Sequence, residues 1–243
     1  MLEADPDLAE AVPRQARTAA IARCVAATLR LRAGSWPKAG VPGVGGGIGL
    51  LVLDGLLIRR VGIDGRFGAE LLGRGDLLRP WQGEDEPPTI AIKTSWRVLE
   101  PTFLAVLDER FAAETSRYPQ LTGRFVSRAL ERSRQLAVNM AIVHQPRVDV
   151  RLHMLMWHLA SRWGIVGQDG VSLRIRLTHS VLADLAAARR PTVTSALAEL
   201  TRSGLVESIP EGWLLPGHPP GELLRLSAQA DTVSRSGSAG RRA

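Results

Sequence analysis

Cysteine is nearly absent from this 243-residue sequence, and its scarcity excludes several kinds of site. Cys24 is the only one. A single thiol cannot form a disulfide within the chain, a cysteine-rich zinc site or a four-cysteine iron–sulfur cluster. Two roles are open to Cys24, a small buried apolar residue and a redox-sensing thiol. The first is favoured because Arg23 is the only evident basic neighbour.

Long apolar runs are missing as well. The longest, residues 47–58, is interrupted by Asp54 and is too short to cross a bilayer as a helix. The N-terminal stretch contains acids such as Glu3 and Asp7 and no continuous apolar segment, so a secretory signal is not expected. These features predict a cytoplasmic protein without a membrane partner.

Histidine does not occur in the first 143 residues. The five histidines lie beyond that point, at His144, His153, His158, His179 and His218. A histidine-ligated metal or haem in the N-terminal half is therefore excluded, which counts against a cupin-type metal enzyme as an alternative function. No Ser-His-Asp, Cys-His or paired-carboxylate arrangement stands out. The sequence predicts a protein that is not an enzyme and has no cofactor or metal.

Lysine is also rare, and the positive charge is unevenly distributed. Lys38 and Lys93 are the only lysines among 31 basic residues. Residues 1–117 contain 15 basic and 15 acidic side chains, whereas residues 118–243 contain 16 basic and 9 acidic ones. The whole net charge of +7 therefore belongs to the second half, which predicts a polyanionic partner for that half.

The N-terminal half is patterned as short strands separated by turn residues. Asp54-Gly55 and Asp64-Gly65 each favour the positive φ angles of a tight hairpin. The apolar runs around these pairs cover residues 50–53, 56–61, 69–72, 89–92 and 96–99. Strands at this spacing predict a small antiparallel sandwich or barrel.

Two helices are predicted next. Apolar residues recur at helical spacing over 120–143 on more than one face of the helix. The second face favours pairing with the same helix of another copy, with a simple core helix as the alternative. Gln145-Pro146 ends this helix, so residues 144–147 are predicted to form a hinge before a second helix over 148–163.

The remaining C-terminal elements are short. Residues 171–177 alternate strictly and predict a strand with Arg174 and Arg176 facing outward. A hairpin is predicted around Pro210-Glu-Gly212. Residues 227–243 are rich in serine, glycine and arginine and are predicted to be a disordered tail.

Residues 178–204 have the layout of a helix-turn-helix. Thr178 can cap a first helix, and a second one begins near Arg190-Pro191. The small residues Ala183 and Ala187 allow the two helices to cross closely. The core-facing residues are Val181, Leu182, Leu185, Ala186, Val193, Ala196, Leu197 and Leu200. Ala187 stands where a glycine is usual, which predicts a turn that is either slightly strained or differently shaped.

The exposed start of the second helix combines arginines and hydroxyls and has no acid. Its residues are Arg189, Arg190, Thr192, Thr194 and Ser195. Arginine binds guanine edges, and hydroxyls bind phosphates, so this face predicts binding to the major groove of double-stranded DNA. With Arg174, Arg176 and the later hairpin it predicts a winged helix-turn-helix. The alternative is a helical hairpin with a solvated basic face.

With these residues identified, the chain resembles the Crp/Fnr (cyclic AMP receptor protein) family of transcription regulators over residues 15–226. The resemblance rests on Leu51-Val-Leu-Asp-Gly55, on Leu71-Leu-Gly-Arg-Gly-Asp76 and, most specifically, on residues 177–197. It implies an α+β fold with an N-terminal cyclic-nucleotide-binding-like jelly-roll β-barrel, a long dimerisation helix and a C-terminal winged helix-turn-helix. The implied bounds are 1–117 for the sensor, 118–146 for the dimerisation helix and hinge, 147–226 for the DNA-binding domain and 227–243 for the tail.

The resemblance also assigns roles within the second helix. It implies that Arg190 reads a base and that Thr178 and Thr192 contact phosphates. Pro191 and Ser195 occupy the other base-facing positions, where the founding member of the family has charged residues. Arg189 and Thr194 are expected to share in the contacts, with Arg174 and Arg176 as candidate wing contacts.

The sensor half departs from the nucleotide-binding members of the family. Those members have an arginine about ten residues beyond the Gly-Asp pair that holds the cyclic phosphate, and here no arginine lies between Pro80 and Ile92. Cyclic AMP is therefore not expected to bind, because its buried phosphate would lack a charged partner. Arg79 is a candidate for holding another anion, with a plain surface arginine as the alternative. The effector is unknown.

Together these features predict a homodimeric transcription regulator that reads a pseudo-palindromic DNA site under the control of a signal at the barrel, with RNA polymerase as a candidate partner. The alternative is a ligand- or protein-binding module whose helix-turn-helix does not read DNA. The two differ in whether Arg190→Ala affects binding to DNA.

Overall fold

The computed structural model of the chain describes residues 1–37, 46–81, 90–219 and 221. These residues form two compact units, an N-terminal unit, Met1–Val138, and a C-terminal unit that begins at Asn139. The predicted tail, residues 227–243, lies outside the described residues. Residues 82–89 also lie outside them, and they make up most of the stretch between Pro80 and Ile92 that has no arginine. None of the described helices is both long and apolar enough to span a membrane.

The N-terminal unit combines short helices with an antiparallel sheet and continues into a long helix. In chain order its elements are α1 (Pro6–Ala11), α2 (Arg14–Arg23), β1 (Ala27–Leu31), β2 (Gly34–Ser35), β3 (Gly49–Ile63), β4 (Arg66–Gly73), β5 (Leu77–Leu78), β6 (Ile92–Leu107), α3 (Glu109–Thr115) and α4 (Pro119–Val143). Helix α4 confirms the helix predicted over 120–143 and begins one residue earlier.

The sheet is antiparallel and remains open among the described residues. Its strand order is β1-β6-β3-β4, with β2 paired to β6 and β5 paired to β3. The two long strands, β3 and β6, pair from Gly49 opposite Leu107 to Ile63 opposite Ile92. Strands β1 and β4 form the two edges of this arrangement, so the predicted jelly-roll barrel is not closed among the described residues.

The hairpin predicted at Asp54-Gly55 is wrong. Both flanking runs belong to the single strand β3, because both pair with β6, and the register shifts between Val52 and Leu57. Gly55 has a φ of +93°, and a Cβ there would approach the carbonyl oxygen of Pro101 to 2.4 Å, so the pair forms a bulge against β6. The turn at Asp64-Gly65 is confirmed: both residues have positive φ and join β3 to β4.

The core of the N-terminal unit has two clusters. One gathers fully buried residues of the N-terminal segment, the sheet and helices α3 and α4, including Leu8, Cys24, Phe111 and Leu121. The other lies within the sheet around Trp36 and Trp96, whose rings meet edge to face with centroids 5.7 Å apart. The prediction that Cys24 is a buried apolar residue is confirmed. Burial raises the pKa of its thiol, so the thiol is protonated at neutral pH.

Ion pairs attach the N-terminal segment to helix α4. Arg128 donates to Asp5 at 2.6 and 2.8 Å and to Asp7 at 2.6 Å, and Arg124 also pairs with Asp7. The hydrogen bond from Arg124 lowers the pKa of Asp7. Two arginines of α4 thus pair with two aspartates of the N-terminal segment, so the first turns of the chain are held against this helix.

Beyond the end of α4, the described part of the C-terminal unit contains three helices and a four-stranded sheet. After the end of α4 come α5 (Val148–Trp163), β7 (Gly164–Val166), β8 (Gly170–Leu173), α6 (His179–Leu185), α7 (Arg190–Arg202), β9 (Glu207–Ile209) and β10 (Gly212–Pro216). The sheet is antiparallel in the order β7-β8-β10-β9. Helix α5 and the hairpin at Pro210-Glu-Gly212 confirm the predictions, and residues 144–147 form the predicted break between helices.

The strand predicted over 171–177 is shorter than expected. Strand β8 ends at Leu173, whose pairing with Trp213 is the last one between β8 and β10. Ile175 and Leu177 are nevertheless buried, while Arg174 and Arg176 are exposed. The alternation therefore predicted burial correctly and overestimated the length of the ladder.

Candidate nucleic-acid interface

Helix α6 begins and ends where its sequence provides caps. The Thr178 hydroxyl oxygen accepts a hydrogen bond from the Val181 amide at 3.3 Å and caps the N-terminus. At the other end, the Ala188 amide donates to the Ala183 carbonyl oxygen at 3.0 Å, which closes the last turn. Ala187 has a φ of +48°, so of the two predicted alternatives the strained turn is confirmed.

Helix α7 starts directly after this turn. Arg189 is its N-cap residue, and Pro191 lies in the first turn, where a missing amide proton leaves no hydrogen bond unmade. All the core-facing residues predicted for α6 and α7 are buried: Val181, Leu182, Leu185, Ala186, Val193, Ala196, Leu197 and Leu200. Helix α7 lies against both α6 and α5, and Leu152, Leu155 and Met156 of α5 are buried as well. The helices are thus held with one face of α7 outward.

The outward face of α7 carries the residues predicted to bind DNA. Its exposed members are Arg189, Arg190, Pro191, Thr192, Thr194 and Ser195. Among the described residues, neither Arg189 nor Arg190 has a carboxylate partner for its guanidinium. Both cations are therefore available to phosphates or to guanine edges, which present two acceptors to the major groove.

Two of the hydroxyls on this face, those of Thr194 and Ser195, already have partners inside the protein. Ser195 donates to the Pro191 carbonyl oxygen at 3.3 Å, and Thr194 lies 3.1 Å from that of Arg190. Thr194 is also 2.9 Å from Nδ1 of His179, the first residue of α6. The oxygen of Thr178 accepts its capping bond and keeps its own proton, which suits donation to a phosphate.

The hairpin β9–β10 follows α7 and has the place of a wing. Trp213 is buried in it and pairs with Leu173 of β8, so the hairpin is joined to the sheet. Arg174 and Arg176, the candidate wing contacts, lie just beyond the end of β8 and are exposed.

Arg151 of α5 was not singled out from the sequence. Its guanidinium donates to the Gln145 carbonyl oxygen at 2.5 and 3.0 Å and to the Ala186 carbonyl oxygen at 2.9 Å. One side chain therefore joins the segment before α5 to the turn between α6 and α7. No local pattern marks it, because an arginine on an amphipathic helix resembles any solvated one.

His153 and Trp157 form a second polar contact on α5. The Trp157 indole donates from Nε1 to Nε2 of His153 at 3.0 Å, which requires that nitrogen to be unprotonated. Burial lowers the pKa of His153, so the ring is neutral at neutral pH. Among the described residues, no cluster of three or more metal-ligating side chains occurs.

A cavity of about 490 Å³ lies in the N-terminal unit beside α4. Apolar groups and three arginines line it: Ile48, Arg59, Leu77, Arg79, Trp96, Thr122, Phe125, Val126, Ala129 and Arg132. Arg59 and Arg132 share the carboxylate of Glu70, at 2.8 and 2.6 Å. Arg79 donates to the Gly47 carbonyl oxygen at 3.1 Å.

The C-terminal geometry agrees with a family comparison. Residues 150–215 match the model of the Crp-like helix-turn-helix domain. Most of the C-terminal unit is thus similar to a Crp-like helix-turn-helix domain. The match begins within α5 and ends within β10, so it covers every element that positions the outward face of α7.

Solved structures extend the comparison to the whole fold. CooA from Carboxydothermus hydrogenoformans, as a double mutant, is 16% identical, with 83% of this chain and 88% of that one covered and a TM-score of 0.60. FixK2 from Bradyrhizobium japonicum is 13% identical, with 83% of this chain and 97% of that one covered and a TM-score of 0.58. TTHA1359, a CRP/FNR-family transcriptional regulator from Thermus thermophilus, is 21% identical. The match covers 83% of this chain and 98% of that one, with a TM-score of 0.54. None of the curated protein sequences compared with the chain matches it.

The fold is that of a Crp/Fnr-type transcription regulator, with a helix-turn-helix DNA-binding domain. The resemblance to the Crp/Fnr family that the sequence predicted is thereby confirmed, as is the predicted α+β fold class. The family consists of transcription regulators, which sets it apart from the cupin-type enzymes.

Proposed function

We propose that the chain is a transcription regulator that binds a pseudo-palindromic DNA site as a homodimer and reads it with helix α7. The observation that carries the proposal is the exposed start of α7, where Arg189 and Arg190 have no carboxylate partner among the described residues. The proposed contacts are Arg190 with a base edge, Pro191 and Ser195 beside it, and Thr178 and Thr192 with phosphates. Arg174 and Arg176 would add contacts next to the wing.

Helix α4 supports the dimer. Val126, Leu130 and Met140 are 52%, 65% and 62% exposed, and with Ala137 they form one stripe along the helix. This apolar stripe is about 21 Å long, and a helix face that contacts only solvent does not usually expose so much apolar surface. Because Crp/Fnr regulators act as dimers, the proposed occupant is the same stripe of a second copy.

The cavity beside α4 is the proposed site of the effector. Three arginines and one carboxylate leave it with an excess of positive charge, and most of its wall is apolar. An organic anion with an apolar body fits both properties, with Arg79 as its charged partner. Cyclic AMP is not the proposed ligand.

Thermal denaturation tests this site. Aromatic and short-chain carboxylates should raise the melting temperature of the chain more than the corresponding amides do, and Arg79→Ala should abolish the difference. Equal effects of carboxylates and amides, or an effect unchanged in Arg79→Ala, would exclude Arg79 as the anion partner. A shift with cyclic AMP of the same size would exclude the proposed ligand class.

The signal is proposed to act through the segment 144–147, by unequal affinity of the effector for two arrangements of the DNA-binding domains. In this proposal residues 1–117 are the sensor, 118–146 the dimerisation helix and hinge, and 147–226 the DNA-binding domain. RNA polymerase is the proposed further partner, the site of action is the cytoplasm, and no catalysis is involved.

Footprinting on DNA from upstream of the protein's own coding sequence tests the mode of binding. The proposal predicts two protected half-sites whose centres are about one helical turn, or about 34 Å, apart. A single protected half-site would contradict the dimer. Uniform protection of all fragments would favour the alternative, a ligand- or protein-binding module whose helix-turn-helix does not read DNA.

A further inference from the structure

The His179–Thr194 contact joins the two helices of the helix-turn-helix on its exposed side. Nδ1 of His179 lies 2.9 Å from Oγ1 of Thr194, and the same oxygen lies 3.1 Å from the carbonyl oxygen of Arg190. Thr194 is one turn beyond Arg190 on α7, so the two side chains are neighbours on the outward face. His179 is half-buried, whereas Thr194 is exposed.

The two contacts account for the single proton of the Thr194 hydroxyl. A hydroxyl has one proton to donate and two lone pairs that accept. If the proton points to the Arg190 carbonyl oxygen, Nδ1 of His179 carries hydrogen and donates to the Thr194 oxygen. If the proton points to Nδ1, it is again used inside the protein. In both arrangements the Thr194 hydroxyl has no proton left to donate to a partner outside the protein, and its oxygen keeps at least one lone pair that can accept a hydrogen bond.

An oxygen that only accepts hydrogen bonds can distinguish bases in the major groove. Adenine and cytosine present an exocyclic amine that donates, whereas guanine and thymine present a carbonyl oxygen that accepts. An oxygen with no proton to give binds the amine and is repelled by the carbonyl oxygen. On one strand it therefore favours adenine or cytosine over guanine or thymine.

We propose that His179 is a specificity-determining residue, which holds Thr194 as a hydrogen-bond acceptor for a base with an exocyclic amine. The inference rests on the proposed function, because it requires that α7 reads DNA. It complements Arg190, which can only donate and therefore suits the acceptors of guanine. His179 acts through Thr194 and needs no contact of its own with a base.

The test is selection of bound sequences from a DNA pool with randomised half-sites by the full-length protein. The wild-type protein should show one position per half-site at which adenine or cytosine is preferred about fivefold over guanine and thymine. Thr194→Val, which keeps the shape and loses the oxygen, should reduce this preference to below about twofold, whereas Thr194→Ser should retain it. The preference assigned to Arg190 should persist in both variants.

Two variants of His179 complete the test. His179→Asn places an amide N–H near the position of Nδ1 and should retain the amine preference, whereas His179→Leu should lose it. An unchanged preference in Thr194→Val, or a wild-type preference for guanine or thymine at the affected position, would overturn the proposal. Thr194 is exposed, so Thr194→Val keeps the test decisive even where His179→Leu does not fold. Failure of the wild-type protein to select any sequence would overturn the proposed function itself.

Discussion

Arg151 of helix α5 donates a hydrogen bond to the carbonyl oxygen of Ala186, 2.9 Å away, in the turn that separates α6 from α7. The same guanidinium holds the carbonyl oxygen of Gln145 at 2.5 Å. The segment before α5 and the turn before the DNA-facing helix are thus joined through one charged group. Hydrogen bonds from a charged donor typically contribute about 1.5–3 kcal/mol each, so this side chain is a major determinant of the geometry of the turn.

Replacement of Arg151 should loosen that turn. We expect Arg151→Met to lower the local stability of α6 and α7 by about 2 kcal/mol, because the carbonyl groups of Ala186 and Gln145 lose their donor. Hydrogen exchange of peptides that cover α6 and α7 measures the effect as faster exchange. Arg147→Met is the matched control, because Arg147 is exposed and its only ion pair among the described residues is with the nearby Asp149. Equal exchange in the two variants would show that the contact does not hold the turn.

Ala187 offers a substitution that should stabilise the protein. Its φ of +48° is costly for a residue with a Cβ and free for glycine. We expect Ala187→Gly to raise the free energy of unfolding by about 0.5–1 kcal/mol, after allowance for the greater freedom of glycine in the unfolded chain. Urea denaturation measures this, and Ala188→Gly, at a residue without positive φ, should destabilise. A lower midpoint for Ala187→Gly would contradict the strain assigned to the turn.

The exposed stripe of α4 predicts the oligomeric state. Leu130→Glu should convert the dimer to a monomer, because it would bury two like charges against each other at the proposed interface. Ser127→Glu introduces the same charge about 100° around the helix from Val126 and should leave the dimer intact. Sedimentation at several protein concentrations distinguishes the two. A monomeric wild-type protein, or dissociation by both variants alike, would contradict the proposed stripe.

The pKa of His153 predicts how the C-terminal unit responds to acid. Burial lowers this pKa below the ordinary 6.5, so the folded state binds its proton less readily than the unfolded state does. The contribution of the neutral ring is therefore complete above pH 6.5 and is lost as the pH falls through the lowered value. Protonation also removes the acceptor of the Trp157 indole.

Urea denaturation at pH 7.5, 6.5 and 5.5 tests the direction of this pH dependence of stability. The midpoint of the wild-type protein should fall with pH, and His153→Gln should flatten that part of the dependence, because glutamine does not titrate in this range. A wild-type midpoint that rises as the pH falls would contradict a neutral buried His153.

The helices were largely predictable from the sequence. Periodicity placed α4 within one residue and α5 without error, because apolar spacing and a proline-containing break are local signals. The buried faces of α6 and α7 followed in the same way. Ala187 was recognised from its place in the motif, and its backbone angle agrees.

The features that were missed depend on partners distant in sequence. Asp54-Gly55 has the local chemistry of a turn, and only the pairing of both flanking runs with β6 makes it a bulge. Arg151 and His179 owe their roles to carbonyl and hydroxyl groups that the fold brings to them from 15 or more residues away. Side-chain spacing within one helix does not indicate such contacts.

The central claim, that the start of α7 reads DNA, is tested most directly by fluorescence anisotropy with labelled fragments from upstream of the protein's own coding sequence, over a range of salt concentrations. We compare the wild-type protein with Arg190→Ala and with Arg202→Ala, which removes an arginine at the opposite end of the same helix, where it pairs with Glu199. The account predicts tight binding to specific fragments that weakens steeply with salt, a loss of about 1–3 kcal/mol in Arg190→Ala and little change in Arg202→Ala. Weak binding of equal strength to every fragment by all three proteins would contradict it.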